Sequence, residues 1–364
     1  MTAVQDYVEN PRLFLHRINF STGRFEFIDI ERANIAANTF LDDQSLAACP
    51  RQPGISFDDL SNQLKEHKAC LAPADKFIFH IGFCCSTLVS RALEHPGAVL
   101  SLREPNIFHN LADFKRWPKT GPPTRPMTRP VTRPMTGPVA KINFDEALDI
   151  GLRLLNRPFE DTETIVVKPA NITNNLIMDI MGKNPSTKAV FLYVPLKSFL
   201  ISILKKGEAG RAFSRKLFMK YRLDEAFRQS VFFKTPFMLT DLQVVVFLWI
   251  MQMQLFQQCL ESTQARRIFI LNGEHFLENP SHHLTRMAAF FDLPLDKEHF
   301  DSVVEGPVFQ TDSKRPGRAF SSMERIRENR QTYNNHARAF DEILKWAYPY
   351  LQSAGISSAF TKET

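Results

Sequence analysis

A short loop between a predicted strand and a predicted helix carries the residues best suited to chemistry. The apolar run 77–81 is followed by Gly82, and Ser86 and Thr87 open a stretch with helical spacing. A glycine-containing loop that enters a helix offers main-chain N–H groups and the positive end of the helix dipole to an anion. The segment therefore predicts a phosphate-binding loop made of Gly82, Phe83, Cys84, Cys85, Ser86 and Thr87. An ordinary strand-to-helix turn capped by Ser86 or Thr87 fits the same pattern.

This loop differs from the Walker A motif of nucleotide-binding proteins. The G-x-x-x-x-G-K-[ST] pattern requires Lys before the hydroxyl residue, and Cys85 stands there instead. The formal net charge of +6 favours an anionic partner but is shared by many kinds of soluble protein.

Cationic and acidic residues elsewhere in the chain could complete such a site. Glu104 and Lys168 each end a predicted strand, where the bland alternatives are an ion pair of Glu104 with Arg103 or Arg91 and a solvated Lys168. A second phosphate could be surrounded by residues at the start of a predicted helix, namely Lys197, Ser202 and Lys206. Near the C-terminus, Lys314 and Arg318 belong to a basic Gly/Pro loop. Both of these groups could equally be solvated surface charges.

Short apolar strands alternate with amphipathic helices over most of the chain. Strands are predicted at 77–81, 164–168, 189–195 and 267–273, and helices at 172–181, from about 198, and at 280–292. The alternation predicts a three-layer α/β fold with a mainly parallel central sheet. Ligands of such folds bind at the carboxyl ends of the strands, which places Gly82, Glu104, Lys168 and Lys197 near one edge.

The expected organisation is one large domain with additions. Residues 1–72 form an N-terminal extension with a strand at 24–30 and an Ala-rich segment with helical character, 73–350 form the α/β domain, and 351–364 form a C-terminal tail. A Pro-rich insertion occupies 118–139, with Pro at positions 126, 130, 134 and 138. Proline at that density excludes helices and sheet ladders, so an extended loop is expected.

Composition excludes several classes of protein. With 44% hydrophobic and 23% charged residues the chain is globular rather than disordered. The apolar run 244–251 is stopped by Gln252, which predicts a buried core helix rather than a membrane span. The N-terminus lacks a basic segment followed by an apolar one, so a cytoplasmic location is expected. Five cysteines without paired spacing predict reduced thiols and no metal site.

Four segments together resemble sulfotransferases. Residues 80–105 are similar to the 5′-phosphosulfate loop, first helix and following strand of that family, which share the pattern G-x-P-[RK]-S-G-T-T-L-L. Residues 165–171 resemble its second basic motif, 189–207 its 3′-phosphate segment R-D-x-R-x-x-x-x-S, and 271–294 its Y-E-D-L-x-x-x-P and F-L-G-L-P passage. The segments keep the family's order between about 77 and 318. Tyrosylprotein sulfotransferases and bacterial sulfotransferase-like proteins are nearest in pattern.

The resemblance implies a P-loop-type sulfotransferase fold that uses 3′-phosphoadenosine 5′-phosphosulfate (PAPS). It implies that residues 82–87 bind the 5′-phosphosulfate and that Lys197, Ser202 and Lys206 bind the 3′-phosphate. Glu104 matches the family's catalytic base, and Lys168 matches the lysine that stabilises the bridging oxygen. Lys314 and Arg318 would close over the nucleotide. The acceptor would be a hydroxyl or amine on a small molecule, glycan or peptide.

The chain departs from the family pattern at three places. Phe83 or Cys84 stands where a loop Lys or Arg is expected, Cys85 replaces a loop Gly, and Pro195 replaces the first Arg of the 3′-phosphate motif. Phe83 and Pro195 favour one alternative, a degenerate binding module. A nucleotide-dependent phosphotransferase on a related P-loop fold is the other alternative, and the absent Walker lysine counts against it. A nucleic-acid binder is disfavoured, because the arginines of the Pro-rich repeat lack interleaved aromatic residues.

Overall fold

The structure is a computed structural model that describes residues 4–66, 71–116, 142–228, 238–262, 265–314, 317–319, 321–357 and 360. The predicted Pro-rich insertion at 118–139 lies outside the described residues, as does part of the predicted tail at 351–364.

The strands of the described residues are β1 (Leu13–Asn19), β2 (Arg24–Asp29), β3 (Arg51–Ser56), β4 (Lys76–His80), β5 (Val99–Arg103), β6 (Thr164–Lys168), β7 (Lys188–Tyr193) and β8 (Ile268–Asn272). The helices are α1 (Val4–Glu9), α2 (Arg32–Ala37), α3 (Phe57–Glu66), α4 (Ser86–Ala92), α5 (Ile107–Arg116), α6 (Phe144–Leu155), α7 (Ile177–Lys183), α8 (Leu196–Lys205), α9 (Gly207–Tyr221), α10 (Asp241–Leu260), α11 (Gly273–Glu278), α12 (Pro280–Phe291), α13 (Lys297–Glu305), α14 (Pro307–Gln310), α15 (Ser322–Asn335) and α16 (Ala337–Ser353). Single 3₁₀ turns cover Asn171–Leu176 and Ala265–Arg267.

Five of the strands form a parallel sheet in the order β5-β6-β4-β7-β8. Its strands are apolar almost without interruption, and every residue of β5 is buried. Such runs are typical of parallel strands, because helices cover both faces of the sheet. The predicted α/β class with a mainly parallel sheet is confirmed, and each predicted strand lies within a residue or two of its expected place.

The chain divides into two compact units. One comprises Met1–Asp75 and His95–Thr187, and the other comprises Lys76–Glu94 and Lys188–Thr364. Each unit contributes neighbouring parallel strands, which are β5 and β6 in the first and β4, β7 and β8 in the second.

The first unit also contains an antiparallel sheet in the order β1-β2-β3. The strand expected at 24–30 is β2, and the Ala-rich segment contains α2. The N-terminal residues are held by the buried guanidinium of Arg157, which donates hydrogen bonds to the carbonyl oxygens of Tyr7 and Leu13 at 2.7 Å each. Burial lowers the pKa of Arg157 to about 9, so the side chain is charged at neutral pH.

The core of the second unit is built around α10. Trp249 is fully buried, and its indole Nε1 donates to the Val194 carbonyl oxygen just beyond β7 at 2.9 Å. Within the described residues, α10 is the one helix whose length and composition would suit a membrane crossing, and 72% of its apolar window is buried inside the protein. The prediction of a core helix at 244–251 is confirmed.

Candidate functional site

The predicted phosphate loop is a tight turn between β4 and α4. Phe83 and Cys85 both have left-handed backbone conformations, with φ of 63° and 66°. Such conformations in non-glycine residues cost about 1–3 kcal/mol each and cluster at functional sites. Helix α4 begins at Ser86, and its N-cap, Cys85, makes no side-chain capping bond. The capping role considered for Ser86 or Thr87 is therefore wrong.

The Thr87 hydroxyl is the most informative polar group of the loop. The residue is 1% exposed, and its Oγ1 has no hydrogen-bond partner in the described protein. A buried hydroxyl without a partner costs about 1–3 kcal/mol, which a bound oxygen would recover. Gly82 and Ser86 are buried beside it.

Buried contacts of Cys84 hold the backbone of the loop in place. The Cys84 thiol donates to the Ile81 carbonyl oxygen at 2.9 Å and is 1% exposed, so Cys84 can offer a ligand only main-chain groups. A Cβ atom at Gly273, the first residue of α11, would lie 2.6 Å from the Cys84 carbonyl oxygen. Glycine at 273 therefore lets another main chain approach the loop closely. His80 is buried, with its Nδ1 2.8 Å from the Ile81 carbonyl oxygen, and so belongs to the core behind the loop.

Aromatic rings occupy the outer side of the loop. The Phe83 ring packs against Phe199 and Phe213, with centroids 5.9 and 5.5 Å apart. Lys206, which follows α8, has its Nζ 5.7 Å from the centre of the Phe83 ring. Of the residues predicted to bind the 3′-phosphate, Lys206 thus lies beside the loop.

Lys197 and Lys206 stand at opposite ends of α8. Their nine-residue separation corresponds to about 13 Å at 1.5 Å per residue. The Lys197 Nζ lies 3.9 Å from the centre of the Tyr333 ring. Ser202 is half-buried between them. The structure does not bring the two lysines together, and a shared phosphate remains a prediction.

The basic loop that contains Lys314 and Arg318 is attached to α4. Arg91 in α4 donates through Nη1 to the Ser313 carbonyl oxygen at 3.2 Å. The loop is closed by a bridge between Thr311 and Ala319. Both basic side chains are exposed. Their role in closing over a ligand remains a prediction.

One cation beside the loop was missed by the sequence reasoning. Arg325 in α15 donates through Nη1 to the Cys85 Sγ at 2.8 Å, across a sequence separation of 240 residues. It belongs to none of the four motifs, and an Arg in a polar helix carries no local signal of a site.

The two predicted catalytic residues meet within the first unit. The Lys168 Nζ donates to the Glu104 Oε1 at 2.6 Å, and the Glu104 main-chain N–H donates to the Lys168 carbonyl oxygen at 2.7 Å. The Lys168 side chain is 0% exposed and the Glu104 side chain 20%. The alternative of a solvated Lys168 is therefore wrong.

Glu104 has a left-handed backbone with φ of 56°, directly after β5. It is thus a third non-glycine residue with this kind of strain among the predicted site residues. A partly exposed carboxylate can accept a proton from a nucleophile, and a buried ammonium can stabilise developing negative charge.

Arg103 serves a different purpose from pairing with Glu104. Its guanidinium is buried and donates to the carbonyl oxygens of Ile35, Ala36 and Asn38 at 2.7–2.9 Å. These bonds hold the C-terminal end of α2 and the residue after it. In the segment that follows, the Phe40 ring lies 5.7 Å from the Lys168 Nζ. Arg103 therefore supports the surroundings of Lys168, and the partner that the structure gives Glu104 is Lys168.

Each unit has a groove whose lining residues do not include the phosphate loop, Glu104 or Lys168. One is lined by Ile203, Thr240 and Trp346 among others, and the second by Arg17, Arg51 and Gln52 among others. Within the described ranges no three His, Cys, Asp or Glu side chains are grouped as a metal site.

No profile of a known protein family matches this sequence, and no curated protein is similar to it in sequence. Among solved structures, the chain is similar to sulfotransferase STF9 from Mycobacterium avium, with 11% identity and a TM-score of 0.39 over 83% of this chain and 84% of that one. It is also similar to the sulfotransferase domain from the curacin biosynthetic pathway, with 10% identity and a TM-score of 0.39 over 73% of this chain and 98% of that one. These similarities concern the fold.

Proposed function

We propose that this protein is a sulfotransferase that uses PAPS to transfer a sulfonyl group to a hydroxyl or amine acceptor. The observation that carries the proposal is the Lys168–Glu104 pair. Two residues selected from sequence as catalytic contact each other at 2.6 Å, directly at the carboxyl ends of neighbouring parallel strands. Sulfonyl transfer needs little else from a protein than a base, cations and alignment.

The loop supports binding of the phosphosulfate end. The unpartnered Thr87 hydroxyl and the strained Phe83 and Cys85 fit a segment shaped around an anion. Lys206 adds positive charge beside the loop, and the loop with Lys314 and Arg318 is joined to α4. The residues therefore fit the 5′ end of PAPS, whereas Pro195 leaves the 3′-phosphate with fewer cations than the sulfotransferase pattern provides.

When bound, PAPS supplies an activated sulfonyl group. In this proposal the Glu104 carboxylate accepts the proton of the acceptor as its oxygen or nitrogen bonds to sulfur. The buried Lys168 ammonium would hold the Glu104 carboxylate in place and supply positive charge that offsets the negative charge developing on the leaving oxygen. The products are a sulfate ester or sulfamate and 3′-phosphoadenosine 5′-phosphate (PAP).

A second function is favoured by the aromatic packing of Phe83. The Phe83 ring packs against Phe199 and Phe213, and Phe83 or Cys84 stands where the sulfotransferase pattern has a cation, which suits a module that binds the nucleotide without transferring from it. The two functions differ in the importance of Glu104, because binding alone does not need a base.

The test begins with calorimetric titration of the purified chain with PAP, and in parallel with ATP and magnesium. We expect micromolar binding of PAP without magnesium. Transfer from radiolabelled PAPS to a panel of phenols, alcohols, amines, glycans and peptides then identifies an acceptor. Binding of ATP with magnesium alone, or of neither nucleotide, would overturn the proposal. Binding of PAP with no transfer to any acceptor would favour the binding module.

A further inference from the structure

The phosphate loop itself carries no charge. The residues from Gly82 to Thr87 are glycine, phenylalanine, cysteine, serine and threonine. A phosphosulfate brings negative charge that backbone N–H groups and hydroxyls only partly neutralise, and proteins usually add Lys or Arg at such sites. If the proposed function holds, a cation from another part of the chain must serve this loop.

Arg325 is positioned to do so. Its Nη1 lies 2.8 Å from the Cys85 Sγ, and the side chain is half-buried. A thiol is a weak acceptor, so this contact uses little of the guanidinium's hydrogen-bonding capacity. No carboxylate of the described residues forms an ion pair with Arg325. A half-buried guanidinium paired only with a thiol is well suited to an anionic ligand.

Helix α15 holds Arg325 against the loop through contacts with α8. Lys205 pairs with Glu328 at 2.7 Å and donates to the Asn329 Oδ1 at 3.0 Å. One turn further on, Tyr333 covers the Lys197 ammonium. Residues 325, 329 and 333 are four apart and therefore share one face of α15. Arg325 thus extends from a docked helix face, and its position beside Cys85 is fixed by the packing of α15.

We propose that Arg325 replaces the missing loop cation and binds the 5′-phosphosulfate of PAPS. The inference rests on the proposed function and adds to it a binding residue outside the four motifs. In this arrangement the Cys85 thiol is the loop group that contacts Arg325, and a ligand oxygen takes over the hydrogen bond that the thiol accepts in the free protein. The guanidinium can present two parallel N–H groups to the oxygens of one phosphate or sulfonyl group.

The experiment compares three nucleotides on matched variants. PAP carries both phosphates, adenosine 5′-phosphate carries only the 5′ group, and adenosine 3′-phosphate only the 3′ group. We expect Arg325→Ala to lower the affinity for PAP and for adenosine 5′-phosphate at least tenfold in calorimetry. Its affinity for adenosine 3′-phosphate should be unchanged. Arg325→Lys should recover part of the loss. Arg330→Ala, which removes an exposed charge from the same helix, should bind all three nucleotides like the wild type.

A second readout follows the thiol. Cys85 is partly exposed whereas Cys84 is buried, so maleimide labelling resolved by peptide mass spectrometry reports on Cys85. PAP should slow the labelling of Cys85 in the wild type several-fold, and this protection should disappear in Arg325→Ala at the same PAP concentration.

The outcomes separate this inference from the proposed function. If the wild type fails to bind PAP, both are overturned. If the wild type binds PAP and Arg325→Ala binds equally well, only the role of Arg325 is overturned. An equal loss for all three nucleotides in Arg325→Ala would indicate a purely structural role and would also overturn the inference.

Discussion

Lys168 and Glu104 are 64 residues apart in the sequence, and their side chains meet at 2.6 Å with the ammonium fully buried. Glu104 also donates its main-chain N–H to the Lys168 carbonyl oxygen, so the pair is joined through both backbone and side chain. A buried charge that loses its partner is strongly destabilising, which makes this pair important for stability as well as for any reaction.

Glu104→Gln should abolish most of the transfer activity. The amide keeps the shape of the side chain but cannot accept the acceptor's proton, and loss of a general base typically costs about 10²–10⁴-fold in rate. The measurement is the rate of PAP release per folded molecule, at a temperature where circular dichroism shows the variant to be native. The matched control Glu160→Gln changes an exposed carboxylate of the same unit and should retain the wild-type rate. A Glu104→Gln enzyme with full activity would remove Glu104 from the mechanism.

The pair should behave as a coupled unit in unfolding. Glu104→Gln leaves the Lys168 ammonium without its counter-charge, and we expect a loss of about 3–5 kcal/mol in the free energy of unfolding. The double variant Glu104→Gln with Lys168→Met removes both charges and should recover part of that loss. Urea denaturation of the single and double variants gives the coupling energy, expected at about 1–3 kcal/mol. Strictly additive effects would contradict the contact between the two side chains.

Thr87→Val should lower the affinity for PAP without lowering the free energy of unfolding. Valine has nearly the same shape and removes a buried hydroxyl that has no partner, so the free energy of unfolding should be unchanged or higher by about 1 kcal/mol. The affinity for PAP should fall about tenfold through loss of one hydrogen bond to a charged group. Thr173→Val is the control, because the Thr173 hydroxyl donates to the Ala170 carbonyl oxygen at 2.6 Å. Removing this hydroxyl should lower the free energy of unfolding and leave the affinity for PAP unchanged. Destabilisation by Thr87→Val would show that the hydroxyl already has a structural role.

Stability should fall in mildly acidic solution because of His16. Burial lowers the pKa of His16 below its ordinary value of 6.5, and the hydrogen bond of its Nε2 to Asp43 at 2.6 Å offsets this only in part. Below pH 6.5 the unfolded chain therefore binds a proton that the folded chain does not, and the free energy of unfolding decreases as the pH falls. Chemical denaturation between pH 7 and 5 should show this decrease.

A variant at His16 checks the assignment. His16→Gln should reduce the slope of the free energy of unfolding against pH, while His283, whose pKa is also lowered by burial, keeps part of that slope. An unchanged slope in His16→Gln would place the acid sensitivity elsewhere.

The elements of the parallel sheet could be predicted because their sequences are distinctive. Runs such as Phe77–Ile81 and Ile165–Val167 are continuously apolar, bounded by loops and short enough to be strands. Strand β3, Arg-Gln-Pro-Gly-Ile-Ser, was missed because its Pro and Gly oppose a strand assignment, and it depends on pairing with β2. The helix expected at 172–181 begins as a 3₁₀ turn and becomes α-helical only from Ile177.

Glu104 and Lys168 could be predicted because each ends a predicted parallel strand, where ligands of such folds bind, and because each matches a position of the sulfotransferase pattern. Residues 82–87 could be predicted from the glycine between an apolar strand and a helix start. Arg325 could not, since α15 is predominantly polar and its approach to Cys85 depends on packing against α8. The buried Arg103 and Arg157 were equally unpredictable, because arginine is almost never buried without a specific set of partners.

The second unit is built from two separate segments of the chain, and this arrangement has a consequence for biosynthesis. The phosphate loop lies in Lys76–Glu94, whereas every other part of its unit comes after Lys188. During translation the loop therefore leaves the ribosome well before β7, Gly273 and Arg325, the neighbours that pair with its strand or contact its residues. Strand β4 therefore waits for β7, one of its two neighbours in the parallel sheet, until the whole of residues 95–187 has been synthesised.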